Sequence, residues 1–296
     1  MKRFPFRKLD AFTGGKSSGN PAGMVLLEGG QQITDADMQQ IAFELKGFVS
    51  EVGFVSPSHE NGVDFDFRFF SSEREVLFCG HATVAISYTL ASETAALKKR
   101  SDFTIRTKKG ILRIENHVSD ENCVYIEAPA PSFIETPTDH IETAAALGLS
   151  LSQLDLNTPL SLVDAGLRSL LVPITDLESC LSCAPDYTAL RAFSQKNGID
   201  IIVLYTSDIH FAHNNYRTRV FAPLFGYLED PATGSGNAAL GYNLIRKGMW
   251  HDERITIEQG PRREYPNIVT LRKNASGTVL IGGSGVTRIV GEYLLY

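Results

Sequence analysis

Cysteine is scarce in this sequence, long apolar runs are missing, and positive charge is outnumbered. Cys79, Cys123, Cys180 and Cys183 are the four cysteines in 296 residues. So few cysteines without a secretory signal argue for free thiols, not a disulfide framework. No run approaches the roughly 18 apolar residues that a membrane helix needs, so no membrane partner is expected. The start, MKRFPFRKLDAFTGG, has no apolar stretch after its basic residues. It does not read as a signal peptide, and a cytoplasmic location is expected. Lys and Arg number 28 against 34 Asp and Glu, a net charge of −6. The basic runs, KKR at 98–100 and RR at 262–263, are short. Nucleic-acid binding wants clustered Lys and Arg on one face, so no such partner is expected. CLSC at 180–183 has C-x-x-C spacing but no second pair to complete a zinc site. HFAH at 210–213 offers two histidines with nothing to order them. No metal is expected, and the pair lacks the strand–CxxC–helix context of a redox motif.

What is present is an ordinary globular composition, with 43% hydrophobic and 21% charged residues. FRKLDAF and AGMVLLEG read as strands, the second ended by Gly29 and Gly30. TDADMQQIAFEL reads as a helix capped by Thr34 or Asp35, with Met38, Ile41, Ala42 and Leu45 at helical spacing. SEVGFVSP and the alternating VDFDFRFF are further strands, and a helix begins near His81. DFTIRTKKGILRIENH is a hairpin turning at KKG, and CVYIEAP is another strand. APAPSF then carries two prolines, a boundary signal. The second half repeats the rhythm, with helices in TDHIETAAALGL and DYTALRAFSQKNG and strands in SLVDAGLRSLLVPI, IDIIVLYTS, NYRTRVFAP, RITIEQG, NIVTLRK and TVLIGG. Many strands, few helices and several hairpins predict an α+β fold. The domains expected are 1–128 and 129–296, with a return of the last strands to the first domain left open.

Two helix entrances resemble each other. CGHATVAISY from Cys79 overlays SGNAALGYNL from Ser235, 156 positions later. The overlay sets Cys79 on Ser235, Gly80 on Gly236, His81 on Asn237 and Ala82 on Ala238. A helix start presents unpaired N–H groups and a partial positive charge. Glycine lets a ligand come close to that backbone. Two such starts, one in each half, suit the carboxylate of a small-molecule substrate.

The chain resembles the PhzF-like (phenazine biosynthesis-like) isomerase family, of the diaminopimelate epimerase-like fold. The resemblance rests on DAFTGGKSSGNPAGMV, IAFELKGFVSEVGFV, FRFFSSEREVLFCGHAT, VFAPLFGYLEDPATGSGNAALG and IGGSGVTRIVGE, in that order. It implies two similar, pseudo-twofold domains, each a curled sheet or barrel around a central helix. It also implies an isomerase with no cofactor, in which Glu51 carries a proton between substrate carbons. His81 and Asp230 are the implied partners of Glu51. Gly80, Ala82, Thr83, Ser235, Gly236, Asn237, Gly282 and Gly283 are the implied substrate-binding positions. Curled sheets leave edges to pair, so a homodimer is a further expectation.

The residues themselves agree with parts of this. Glu51 is flanked by Val49, Val52, Gly53 and Phe54, and a partly desolvated carboxyl group can both take and return a proton. Asp230 also reads as an ordinary turn acid before Pro231. Ser235 is a poor proton carrier, so a two-thiol mechanism pairing it with Cys79 is disfavoured, and Cys79 reads as a buried structural cysteine. The sequence departs from the family pattern in EQGPRREYPN, which places Glu264, Tyr265 and Asn267 where Gly, Arg and Ser are usual. Val52 stands where threonine is usual. Two rival readings follow from the same residues. One is a metabolite-binding relative without catalysis. The other is a dinucleotide site, from G-x-G-x-x-A over Gly234–Ala239, which would need a strand ending directly at the loop.

Overall fold

The structure is a computed structural model describing residues 1–27, 31–251 and 253–296. The strand end expected at Gly29 and Gly30 lies outside the described residues. The chain divides into two compact units, Met1–Ile126 with Gly282–Tyr296, and Glu127–Ile281. The first unit runs through β1 (Lys2–Ala11), β2 (Asn20–Leu26), α1 (Asp35–Glu44), β3 (Glu51–Pro57), β4 (Phe65–Ser71) and β5 (Glu75–Val76). It continues with α2 (Gly80–Glu93), β6 (Asp102–Thr107), β7 (Gly110–His117), α3 (Val118–Glu121) and β8 (Cys123–Glu127). The second unit holds β9 (Ser132–Ile134), α4 (His140–Leu147), β10 (Ser161–Asp164), β11 (Arg168–Pro173), α5 (Leu177–Ser182) and α6 (Tyr187–Asn197). It continues with β12 (Ile201–Thr206), β13 (Tyr216–Phe221), β14 (Glu229–Asp230), α7 (Gly234–Arg246), β15 (Arg254–Gln259), β16 (Asn267–Lys273) and the first residues of β17 (Val279–Gly283), whose Gly282 and Gly283 belong to the first unit. β18 (Gly285–Leu295) belongs to the first unit.

Local sequence accounts for many of these elements. Thr34 caps α1 in a capping box with Asp37, and Met38, Ile41 and Ala42 bury its inner stripe. The β6–β7 hairpin pairs Thr107 with Gly110, so Lys108 and Lys109 are its turn. Gly198, in the left-handed region at φ 62, ends α6.

In the first unit β1 lies antiparallel between β18 and β2, and β2 is parallel to β3. β3 is antiparallel to β4, β4 is antiparallel to β5 and parallel to β6, and β7 is antiparallel to both β6 and β8. α2 packs on β18, β1, β2, β3 and β7, strands from both ends of this ribbon, so the sheet curls around it. That explains why nine of its residues are buried, from Ala82 to Ala91, with no polar face. A Cβ on Gly53 would lie 2.3 Å from Ile86 Cδ1, so bare backbone lets the helix sit close to β3.

The second unit follows the same path. β10 is antiparallel to β9 and β11, β11 is parallel to β12, and β12 is antiparallel to β13. β13 is antiparallel to the two-residue β14 and parallel to β15, which is antiparallel to β16. α7 is the central helix, packed on β10, β11, β12 and β16. The fold is α+β, with one supersecondary plan used twice. In the first copy the strand on the outer side of β1 is the C-terminal β18, and in the second the strand on the outer side of β10 is β9.

Candidate functional site: two unlike helix entrances

The first entrance is built at one end of its sheet. Glu51 opens β3, with Ala22 on one side and Ser71 on the other. Cys79, in extended conformation, precedes α2 without a side-chain cap. Thr83 instead donates both its N–H, at 2.9 Å, and its Oγ1, at 2.7 Å, to the Cys79 carbonyl. The N–H groups of Gly80, His81 and Ala82 therefore form the open, dipole-positive end of the helix. His81 Nε2 lies 3.3 Å from Glu51 Oε2, with side chains 14% and 23% exposed. That oxygen is buried, and although it is within ion-pair distance of His81 it has no aligned hydrogen bond. His81 Nδ1 is 3.5 Å from Cys79 Sγ. Glu51, Cys79 and His81 thus bring one carboxylate oxygen, one sulfur and one ring nitrogen within 4.8 Å of one another, donor types that could hold zinc. His117, Asp120 and Glu121 on and beside α3 form a second such cluster.

Thr13 and Ser284 hydroxyls lie 3.5 Å apart on the loops beside this end of the sheet. Phe12 has a positive φ of 60, and its N–H donates to the Ser284 carbonyl at 2.8 Å. The bare face of Gly283 accepts the Phe12 ring, which a Cβ would meet at 2.4 Å. Gly282 is pressed likewise on Tyr125, at 2.3 Å. Buried Asp10 pairs with Lys8 and, at 2.8 Å, with Arg288. Sequence reasoning passed over Asp10, Phe12 and Arg288, although DAFTGG and GVTRIVGE lay inside the quoted motifs.

The second entrance is wired differently. Thr233 precedes α7, and its hydroxyl donates to Asp230 Oδ2. Gln259 Oε1 accepts from the Thr233 N–H at 2.9 Å and from Asn237 Nδ2 at 2.7 Å. Gln259 Nε2 returns to the Asp230 carbonyl and Thr233 Oγ1, each at 3.0 Å. Asn237 also donates to the Thr233 carbonyl at 2.9 Å and accepts from Thr218 Oγ1 at 3.2 Å. Its side chain is fully buried and committed, so Asn237 shapes the loop and offers a ligand no free group. Asn267, one of the departures from the family pattern, ties the Pro231 carbonyl at 2.6 Å. Ser235 and Gly236, with Gly234, form the open helix end.

The cap geometry corrects the sequence overlay. Thr83 and Asn237 each bond the carbonyl of the residue before the helix, so Cys79 corresponds to Thr233 and not to Ser235. Gly80 then matches Gly234, and His81 matches Ser235. The preceding strands agree. Arg68 grips Glu75 with two nitrogens and lies 5.2 Å over Phe70. Arg219 grips Glu229 in the same way and lies 5.0 Å over Phe221. Through the strand registers Glu51 matches Ile201, and Val76 matches Asp230. The repeat is therefore symmetric in fold and asymmetric in chemistry. One copy carries carboxylate and imidazole, while the other carries an aspartate and a serine.

Two other motifs are accounted for by packing. Burial pushes the thiols of Cys180 and Cys183 up to about 12, and Arg219 Nη1 donates to both of their carbonyls. His210 and Phe211 of HFAH give their N–H groups to Glu258, which pairs with fully buried Arg217 at 3.1 Å. The G-x-G-x-x-A stretch follows a two-residue strand, and a Cβ on Gly236 would meet Ile201 and Val203 at 3.1 Å. The missing side chain of this glycine serves helix–sheet packing, while its N–H remains at the open helix end.

A family model described as Phenazine biosynthesis-like protein matches residues 9–291. The chain belongs to that family. The uncharacterized isomerase YfhB of Bacillus subtilis is 30% identical over 285 residues, 94% of this chain and 93% of that protein. Trans-2,3-dihydro-3-hydroxyanthranilate isomerase of Pseudomonas chlororaphis is 26% identical over 286 residues, 94% of this chain and 95% of that protein. The crystal structure of a PhzF-family phenazine biosynthesis protein from Bacillus anthracis matches with a TM-score of 0.85 and 27% identity, covering 100% of each chain. With isomerases matched along nearly its whole length, the chain is an isomerase of this phenazine biosynthesis-like family. Among the described residues no helix is long and apolar enough to cross a membrane.

Proposed function

We propose that the chain moves a proton between two carbons of a small carboxylate-bearing metabolite, with Glu51 as the shuttle and no resident cofactor. The observation that carries this reading is the buried, unaligned Glu51 Oε2 beside His81 Nε2 at the open end of α2. A carboxylate so placed takes a proton from one substrate carbon. The electron pair left behind shifts into the adjoining unsaturation, and the same carboxyl group delivers the proton to another carbon. Bonds and electrons balance without an oxidant. His81 holds Glu51 and exchanges protons with it. The N–H groups of Gly80, His81 and Ala82 favour the negative charge that develops on the substrate. Thr83 holds that helix start in shape. Asp230, Ser235 and Gly236 are assigned to substrate recognition, and Gly282 and Gly283 to the packing of the loop beside the first entrance.

The test begins with a thermal-shift screen of small cyclic and amino carboxylic acids. A hit is then incubated in deuterated water with protein dialysed against a chelator. Deuterium should enter the ligand, and Glu51→Gln should slow entry by about 10²-fold or more while the ligand still raises the melting temperature. Exchange undiminished in Glu51→Gln would sink the shuttle. Binding without any exchange would support the non-catalytic reading. Loss of exchange on chelation, restored by zinc, would make Glu51, Cys79 and His81 a metal site.

A further inference from the structure

The second unit contains a cavity of about 360 Å³ that shares no residue with either helix entrance. It lies where the C-terminal end of α7 meets β9 and the start of β10. Phe133, Ile134, Leu160 and Leu162 give it an apolar wall. Asn243, Arg246 and Lys247 line it from the helix side. Asn243 is 2% exposed, and its Nδ2 is buried without a hydrogen-bond acceptor. Lys247 Nζ is also buried and without an acceptor. Arg246 stands with its guanidinium carbon 4.5 Å from the centre of the Phe133 ring. Of the charged side chains lining the cavity, Arg246 and Lys247 are cationic and the exposed Glu135 is anionic, and the Asp155 carboxylate, outside the lining, pulls on Lys247 against the burial that lowers it.

Two buried nitrogen donors without acceptors are costly to keep, the ammonium most of all. Burial, with Arg246 close by, pushes the Lys247 ammonium below its ordinary range. Packing does not explain the pair, since leucine and methionine would fill the same space without that cost. A ligand that brings oxygen lone pairs and negative charge satisfies both donors together. The apolar wall asks the same ligand for a hydrophobic body. The volume lies at the lower end of the range for small-molecule sites.

We propose that this cavity is a second small-molecule site, taking an organic anion with an aromatic or aliphatic body, its acid group held by Asn243 and Lys247. The site is separate from the Glu51 entrance, and it stands or falls independently of the reaction proposed there. Its ligand class includes carboxylated metabolites, which gives the enzyme a place to sense an acid other than the one it converts.

The probe is 8-anilinonaphthalene-1-sulfonate, titrated by fluorescence against the full chain, with uncharged N-phenyl-1-naphthylamine as the matched control. The sulfonate should bind saturably, with a one-to-one stoichiometry. Lys247→Met and Asn243→Leu should each weaken it by about tenfold, as expected for the loss of one charged hydrogen bond. Lys99→Met, at an exposed lysine, should leave binding unchanged. The uncharged probe should bind the unaltered chain about tenfold more weakly than the sulfonate. Should Lys247→Met fail to fold, Asn243→Leu and the uncharged probe still decide. Binding within about twofold of the unaltered chain in both variants, or equal binding of the two probes, overturns the proposal.

Discussion

At the scale of single residues, function and packing are told apart by what each polar group already touches. Asn237 sits in the most suggestive stretch of the sequence, yet every polar group of its side chain is spent inside the fold. Glu51 lies in an ordinary strand, yet one of its oxygens is buried and unaligned. The cysteines divide in the same way. Cys79 faces His81, whereas Cys180 and Cys183 are held up to about 12 by burial. A thiol needs its thiolate to react. Iodoacetamide at pH 8 should therefore leave Cys180 and Cys183 unmodified in the native protein and modify both in denaturant, read by peptide mass spectrometry. Modification of either in the native protein at the rate seen in denaturant would contradict their burial.

At the scale of elements, each central helix depends on small residues where it meets its sheet. Gly53 on β3 faces Ile86 on α2. An added methyl must displace Ile86 in a packed core, which costs about 1–3 kcal/mol. Gly53→Ala should lower the melting temperature, and Ile86→Val, nearly neutral to mildly destabilising alone, should recover part of that loss in the double variant. Strictly additive effects would mean that the two sites are not in contact. Longer elements were legible because periodicity and caps act locally. The sequence offers Thr34 or Asp35 as the cap of α1, of which the structure uses Thr34, and Gly198 ends α6. β5 and β14 were not legible, since two residues carry no period. β18 was missed because most of it is exposed, so its burial does not alternate.

For the whole molecule, acid should be the sensitive direction. Hydrogen bonds from Arg68 and Arg100 hold Glu75 and Asp64 below the usual carboxylate range, and bonds from Ser179 and Thr175 do so for Asp176 in the second unit. Their folded values are lower than their unfolded ones, so the unfolded chain binds more protons in acid. The stability they contribute is fully present above the ordinary range near pH 4 and is lost as pH falls through the folded values. The melting temperature should stay nearly level from about pH 7 to 5 and then fall. Arg68→Met should lower it at neutral pH and flatten that acid limb. An unchanged acid limb in Arg68→Met would remove Glu75 from the account.

The sequence by itself determined the α+β class, most of the strands and helices, the family, and the composition of both helix entrances. These follow from short-range patterns and from motifs that keep their order along the chain. The tertiary structure decided which residues meet. It brought His81 to Glu51, thirty positions earlier, through the pairing of β3 and the placement of α2. It also moved the repeat's frame, setting Cys79 against Thr233, because the carbonyl that Thr83 and Asn237 share with their helix starts is fixed by folding. Contacts between distant strands depend on register, and register is a property of the assembled sheet that no single segment contains.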